Sequence, residues 1–396
     1  MGAKRFLVIK LGSIGDVVHA LPAVSLLRKL YPDAVIDWLV EPKSASILDD
    51  FPHISSRIVI DTKQWRRAFL RHPLRVLSEI RQLIARLKRA RYDASIDLQG
   101  LLKSSIWAWV SKSRLRFGFP SRECRERLSA RLNNRKCWHT TDATHVVEKL
   151  CSMAWATAEE LGDAEPAREL RPCEDLKWDI AVKDVARQQF GEFLKTKAVR
   201  DGDLLVGINP CAGWATKRWS ASNFARMIRT AQESDDGRRA HFMLLYGPGE
   251  EGYAEDVIRH LGDNVGDSVF LAPPSDIPLL CAMLDACDVV VSGDTAVLHI
   301  AAALGRPTVA LFGPSDPARN GPFGNRSIIV QHRIACGPCY KRECKNMACI
   351  KNISPTRVAA SAMQILQVES RKSKLESQKS KVRSRSSKVR SQKSKV

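Results

Sequence analysis

The sequence predicts an α/β protein built from two doubly wound, Rossmann-like domains of similar size that face an interdomain cleft. Three observations carry this reading. The chain has 396 residues, which at ~150 residues per domain suggests two domains. Its 44% hydrophobic residues are enough for large cores. Short apolar runs alternate with helical patterns through both halves, as parallel sheets covered on both faces require.

In the first half, Arg5–Ile9 reads as a strand, followed by the Gly-containing turn Lys10–Asp16 and a helix to about Tyr31. Val35–Val40 and Arg57–Ile60 read as further strands. Residues 63–91 carry Trp65, Phe69, Leu70, Leu74, Leu77, Ile80, Leu83, Ile84 and Leu87 at three- and four-residue steps, so one amphipathic helical region is expected. Asp93–Leu98 is a strand leading into Gln99-Gly100, with a helix from about Leu101, and Asp142–Leu161 reads as another helix. Residues 163–178, with Pro166 and Pro172 among charges, read as an interdomain linker.

After a helix at about 180–196, strands are expected at Leu204–Ile208, His241–Tyr246, Asp288–Ser292 and Thr308–Phe312. Helices fall between them at Ser220–Glu233, Glu250–Leu261, Ile277–Ala286 and Asp294–Leu304. Pro355–Val368 reads as a last helix that could cross back onto the first domain. The expected domains are therefore 1–175 and 176–368, followed by a disordered basic tail, 369–396.

Charge narrows the function. Sixty-three Lys and Arg against 43 Asp and Glu give +20, which points to a polyanionic partner. The tail alone carries +9 in Ser/Lys/Arg near-repeats; it reads as a dispensable extension, with an electrostatic tether as the alternative. Residues 63–91 hold ten basic residues and one acid, Glu79. A nearly pure positive face suits an anion or a membrane surface better than plain solvent. No charge-free apolar stretch approaches the ~18–20 residues that cross a bilayer. The apolar run Phe6–Ile9 is too short for a signal-peptide core, so a cytoplasmic protein is expected.

Ligands of open α/β sheets bind beyond the strand C-termini, where helix N-termini gather. Three segments fall there. In Gly12-Ser-Ile-Gly-Asp16 the glycines permit close approach of a ligand, and Asp16 in the first helical turn reads either as a general base or as a plain capping residue. The spacing is not the dinucleotide fingerprint, so a nicotinamide cofactor is not expected. In the second, Gly293-Asp294-Thr295 opens a helix with Asp294 as its N-cap, and His299 shares a face with Thr295; this suits a phosphate, or is simply a capped helix with a partly buried His. The third, Asn209 to Ser220, places Lys217 and Arg218 before a helix, where Lys217 could reach a diphosphate. The turn Tyr246–Glu251 offers acids for ribose hydroxyls.

The stretches FLVIKLGSIGDVVHALPA, YDASIDLQGLLKSS, THVVEK, GWATKRWS and VVVSGDTAVLHIAAALGRPTVALFGPSDP, with the cysteine run near 336–349, resemble glycosyltransferase family 9, the lipopolysaccharide heptosyltransferases. They span residue 5 to about 358. KQWRRAF and RERLSARLNNRK are most like the subfamily that adds the first heptose to the Kdo sugars of lipid A. The resemblance implies a GT-B fold and an inverting transfer from ADP-heptose to a Kdo-lipid A type acceptor at the inner face of the cytoplasmic membrane. It implies Asp16 as catalytic base. Lys217, Thr295 and His299 would hold the diphosphate, Glu251 the ribose and Asp294 the sugar end of the donor. Arg66, Arg67 and Arg125 would contact the acceptor, with Gln99 and Lys103 nearby. Two positions depart from the family pattern: Ala296 stands where Gly is usual after Asp-Thr, and Ala212-Gly213 where hydroxyl residues can occur.

No acidic pair is poised for Mg²⁺, and no cofactor is expected. Of eleven cysteines, Cys336, Cys339, Cys344 and Cys349 lie within fourteen residues and could hold a structural zinc; reduced or redox-labile thiols are the alternative. The other seven read as buried free thiols. The competing readings are a GT-B transferase or epimerase using another nucleotide sugar, and a nucleic-acid-binding protein. The second lacks any recognisable zinc-finger, RRM or KH module, so no specific nucleic acid is expected.

Overall fold

The structure, a computed structural model, describes residues 3–137, 143–162, 177–200, 202–234, 240–262, 267–324 and 326–368. The proposed tail, most of the proposed linker and Cys173 lie outside the described residues. Among those described, no helix is long and apolar enough to cross a membrane.

Twelve strands form two parallel sheets. The first contains β1 (Arg5–Ile9), β2 (Val35–Val40), β3 (Ser56–Val59), β4 (Ala94–Asp97), β5 (Leu115–Gly118) and β6 (Arg135–Lys136), in the order β3-β2-β1-β4-β5-β6. The second contains β7 (Leu204–Asn209), β8 (Ala240–Leu244), β9 (Val269–Leu271), β10 (Val289–Gly293), β11 (Thr308–Phe312) and β12 (Ser327–Gln331), in the order β12-β11-β10-β7-β8-β9. Each is the doubly wound order, reversing direction between β1 and β4 and between β7 and β10. The central strands RFLVI, VVVSG and TVALF are buried almost throughout, which is why they read as continuous apolar runs.

The helices that matter to the site are α1 (Ile14–Leu30), α2 (Thr62–Ala68), α3 (Pro73–Arg89), α4 (Leu102–Val110), α5 (Val146–Glu160), α6 (Asp184–Thr196), α7 (Ala221–Gln232), α8 (Glu251–Leu261), α9 (Ile277–Ala286) and α10 (Ala296–Ala303). A last helix, α11, covers residues 355–368. Helix α1 packs against α5 of its own domain and against α10 of the other. One apolar core therefore runs across the domain joint, from Val18 and Leu21 to Val290 and Ile300.

The structure departs from expectation at several points. Strands β5, β6, β9 and β12 were not foreseen; β6 and β9 have two and three residues, too few for a period to emerge. The region 63–91 is two helices. Residues 69–72 interrupt it, because Pro73 has no N–H to continue α2 and instead opens α3 at its first turn. The helix expected from Asp142 begins at Val146, with His145 as its N-cap. Helix α11 does not cross to the first domain: Val358, Ala362 and Leu366 are buried with Val206, Phe224 and Val309 in the core of the second.

Candidate active site

Both reversal points lie where the domains meet, and each is spanned by a polar side chain. In the first domain Lys10, the residue after β1, is only 5% exposed and donates from Nζ to the Leu98 carbonyl beyond β4 at 2.6 Å. Burial lowers its ammonium pKa, while Asp16 and Asp97 favour the charged form. In the second domain Asn209, at the end of β7, donates from Nδ2 to Ser292 Oγ at 3.2 Å and to Thr295 Oγ1 at 3.0 Å. Thr295 is thus tied to the strand ends before any ligand arrives.

Asp16 is half-buried at the start of α1. Its Oδ2 accepts from the Ser13 N–H at 2.9 Å and from the Ser13 hydroxyl at 2.8 Å. It therefore closes the helix end and remains partly exposed. The two glycines of this turn have different jobs. A Cβ on Gly12 would lie 2.5 Å from Asp16 Oδ2, so Gly12 makes room for the carboxylate. A Cβ on Gly15 would lie 3.0 Å from His299 Cδ2 and 3.7 Å from Ala296 Cα, so Gly15 admits the N-terminus of α10 from the other domain. The sequence reading gave that space to a ligand; protein atoms take it.

Thr295 is the N-cap of α10, not Asp294 as expected. The Asp294 carboxylate is turned away from the backbone: Oδ2 meets Lys217 Nζ at 2.5 Å and Oδ1 meets His299 Nε2 at 3.1 Å. Burial works to raise its pKa, but the hydrogen bond and charge of His299, joined by Lys217, outweigh it and hold the carboxyl well below its usual range. Lys217 Nζ also sits 4.5 Å from the Trp214 ring centre, with the Arg342 guanidinium 4.9 Å from the same ring. Lys217, Asp294, Thr295 and His299 are therefore one cluster at a helix N-terminus.

The remaining residues are more dispersed. Glu251 is exposed at the start of α8, with the Tyr246 hydroxyl 3.5 Å from Oε1. Arg66, Arg67 and Arg125 are exposed, and among the described residues none is tied to Asp16 by a hydrogen bond or ion pair. Lys103 Nζ pairs with Glu41 Oε1 at 3.2 Å, and the same oxygen accepts from Thr62 Oγ1 at 2.8 Å, fixing the start of α2 to the end of β2. Gln99 is half-buried, and its Oε1 has no partner among the described residues.

The cysteine run is not assembled as a zinc site. Among the described residues no group of three or more His, Cys, Asp or Glu is arranged to hold a metal ion. Cys336 and Cys344 are exposed, and Cys344 Sγ accepts from the Met347 N–H at 3.5 Å. The loop instead braces the Lys217–Asp294 cluster: the Thr216 hydroxyl donates to the Lys341 carbonyl at 2.8 Å, which positions Arg342 beside Trp214.

Lys10, His19, Asn209, Trp214 and Arg342 escaped the sequence reading. Lys10 and Asn209 had a signal: each is a polar residue at the C-terminal end of an apolar strand, where a cleft is expected. His19 and Arg342 had none, because their partners are 280 and 128 residues away.

Comparison with known proteins gives the family and the fold. The profile of glycosyltransferase family 9 (heptosyltransferase) matches residues 80–350. Lipopolysaccharide heptosyltransferase 1 of Escherichia coli strain K12 is 28% identical over 327 residues, covering 83% of this chain and 93% of that protein. Its namesake from Pseudomonas aeruginosa PAO1 is 26% identical over 379 residues, covering 91% and 98%. Among solved structures, E. coli heptosyltransferase WaaC with ADP superposes with a TM-score of 0.64 at 26% identity, covering 82% of this chain and 92% of WaaC. A family 9 glycosyl transferase from Veillonella parvula shares the fold with a TM-score of 0.73 at 21% identity, covering 93% and 98%. The family profile spans more than half of the chain, and the two-sheet GT-B architecture is common to both structures; the chain belongs to glycosyltransferase family 9, the heptosyltransferases, and is a glycosyltransferase.

Proposed function

We propose that the chain transfers heptose from ADP-heptose to the Kdo/inner-core region of a lipopolysaccharide precursor, with inversion at the anomeric carbon, at the cytoplasmic face of the membrane. One observation carries the reading: at the domain joint a Cβ on Gly15, the residue before Asp16, would lie 3.7 Å from the Cα of Ala296, the first residue of α10, so the helix start that bears Asp16 sits beside a helix N-terminus of the other domain. A sugar nucleotide lying between them would have its diphosphate on the positive end and its anomeric carbon toward the base.

In this mechanism the Asp16 carboxylate takes the proton of an acceptor hydroxyl as that oxygen bonds to the anomeric carbon. The bond to the diphosphate breaks on the opposite side, and ADP departs with the electron pair. Lys217, His299 and the backbone donors at Thr295 and Ala296 stabilise the charge that grows on ADP. Lys217 must exchange Asp294 for phosphate when donor binds, freeing a carboxylate for the sugar hydroxyls. Glu251 would accept from the ribose. Arg66, Arg67 and Arg125, with Gln99 and Lys103, would receive the anionic acceptor.

A donor and acceptor panel tests this. ADP-heptose and several UDP-sugars are offered with Kdo-lipid A, and nucleoside diphosphate release is followed. Release with ADP-heptose and Kdo-lipid A together, and only slight release when either is omitted, is expected. Equal or faster turnover of a UDP-sugar overturns the donor assignment.

A further inference from the structure

The corner between α2 and α3 exposes apolar side chains to which the transfer reaction gives no role. Leu70 is 90% exposed and Leu74 81%, with Phe69 and Leu77 exposed beside them. These side chains belong to the apolar stripe that the sequence assigns to a helix face, yet only its two ends, Trp65 and Ile80 to Leu87, pack on the core. The corner is not a fraying end. Trp65 Nε1 donates to Glu79 Oε2 at 2.8 Å and lies 6.0 Å from Trp107, and Val76 is buried. Well-held leucines of this size, left in water, mark an interaction surface.

The charge around them is of one sign. Lys63, Arg66, Arg67, Arg71 and Arg75 are exposed around the tip. Glu79, the region's one acid, is engaged by Trp65 and Arg75. Helix α4, which Trp107 joins to this corner, adds a second exposed stripe, Leu102, Ile106 and Trp109, at helical spacing, with Lys112 Nζ 5.0 Å from the Trp109 ring centre. An apolar tip inside a basic collar matches the boundary of an anionic bilayer, where acyl chains lie beneath a layer of phosphate.

We propose that the α2–α3 corner is a membrane-docking wedge: Phe69, Leu70 and Leu74 enter the acyl–headgroup boundary of an anionic phospholipid bilayer, and the surrounding arginines pair with lipid phosphates. The wedge springs from the rim that carries the catalytic turn. The Glu41 contacts to Thr62 and Lys103 fix its base, and Ser44 Oγ donates to the Gly12 carbonyl at 3.0 Å. Docking would bring the mouth of the cleft to the bilayer. The purpose of the docking rests on the transferase reading above, but the docking itself does not.

The test therefore reads lipid binding without turnover. Full-length protein and Leu70→Glu/Leu74→Glu are sedimented with vesicles of phosphatidylethanolamine and phosphatidylglycerol, and with phosphatidylcholine vesicles, at low salt and at about 0.5 M salt, which screens charge attraction by any basic segment. The wild type is expected to keep a salt-resistant bound fraction on anionic vesicles that the variant loses by about ten-fold or more, with the melting temperature unchanged. Binding to phosphatidylcholine should be weaker than to anionic vesicles at low salt. Equal salt-resistant binding of variant and wild type overturns the wedge, as does equal low-salt binding to neutral and anionic vesicles. A lipid-free dimer of the wild type that the variant cannot form also overturns it, because the surface would then belong to a second copy.

Discussion

His19 Nε2 of α1 and His299 Nδ1 of α10 meet across the domain joint at 3.1 Å, both more than nine-tenths buried. Asp294 can only accept, so His299 Nε2 donates to it, and the other ring nitrogen of His299 is the one that meets His19. His19 thereby reaches from the first domain to a residue of the α10 cluster in the second. A second histidine reinforces the joint: His145 Nε2 donates to the Gly321 carbonyl at 2.9 Å while its Nδ1 accepts from Val147. His19→Ala should lower stability by about 1–3 kcal/mol and raise the donor KM several-fold, with less effect on the acceptor KM. His19→Gln, which keeps a donor, should recover part of both. Thermal unfolding and steady-state kinetics check this; equal rises in both KM values would mean that His19 supports packing alone.

The same histidines set a pH dependence. Burial pushes the His19 pKa well below its ordinary 6.5, helped by His299, His145 and Lys10, with Asp294 opposing; burial also lowers His145. In the unfolded chain both titrate near 6.5, so below that value the unfolded state binds protons that the folded state refuses. Their contribution to stability is complete above pH 6.5 and falls as the pH drops from there toward their folded pKa values. The denaturation midpoint should decline between pH 6.5 and 5 in the wild type and decline less in His19→Gln.

The two glycines of the first turn should respond differently. Gly12→Ala places a methyl against the Asp16 carboxylate and should reduce kcat by about ten-fold or more with little change in melting temperature. Gly15→Ala presses on His299 and the start of α10, and should reduce donor affinity and stability together. Kinetics and thermal melts on the pair separate these outcomes.

Lys217 and Asp294 form a mostly buried pair, with side chains 16% and 6% exposed. Lys217→Ala should cost about 3 kcal/mol, because it strips one of two hydrogen-bond donors from a buried carboxylate, and should also weaken ADP binding. Lys217→Ala/Asp294→Asn should regain much of the stability without regaining ADP affinity. Chemical denaturation and calorimetry with ADP distinguish the two effects.

Most of the fold was legible because the buried parallel strands read as unbroken apolar runs and Gly or Pro marks their ends. The cluster at the start of α10 in the second domain was legible for a local reason: Asp294, Thr295 and His299 lie within six residues. What escaped depends on distance in sequence. His19 beside His299, and Arg342 beside Trp214, become neighbours only after two domains or two loops have folded together. The α2–α3 region had the right helical period, but period alone does not say whether a stripe is covered. Pro73 turned its first part outward, and the leucines there face water. The four close cysteines looked like a metal site by spacing; the loop is held by Thr216 and Ile350 instead, with two of its thiols facing outward.

The central claim is that Asp16 removes the acceptor proton opposite a donor held by α10. ADP release from ADP-heptose and Kdo-lipid A, measured for the wild type and Asp16→Asn alongside calorimetric ADP binding, tests it most directly. The account predicts turnover reduced by about 10²–10⁴-fold with ADP affinity within about two-fold of wild type. Near-normal turnover by Asp16→Asn would contradict it.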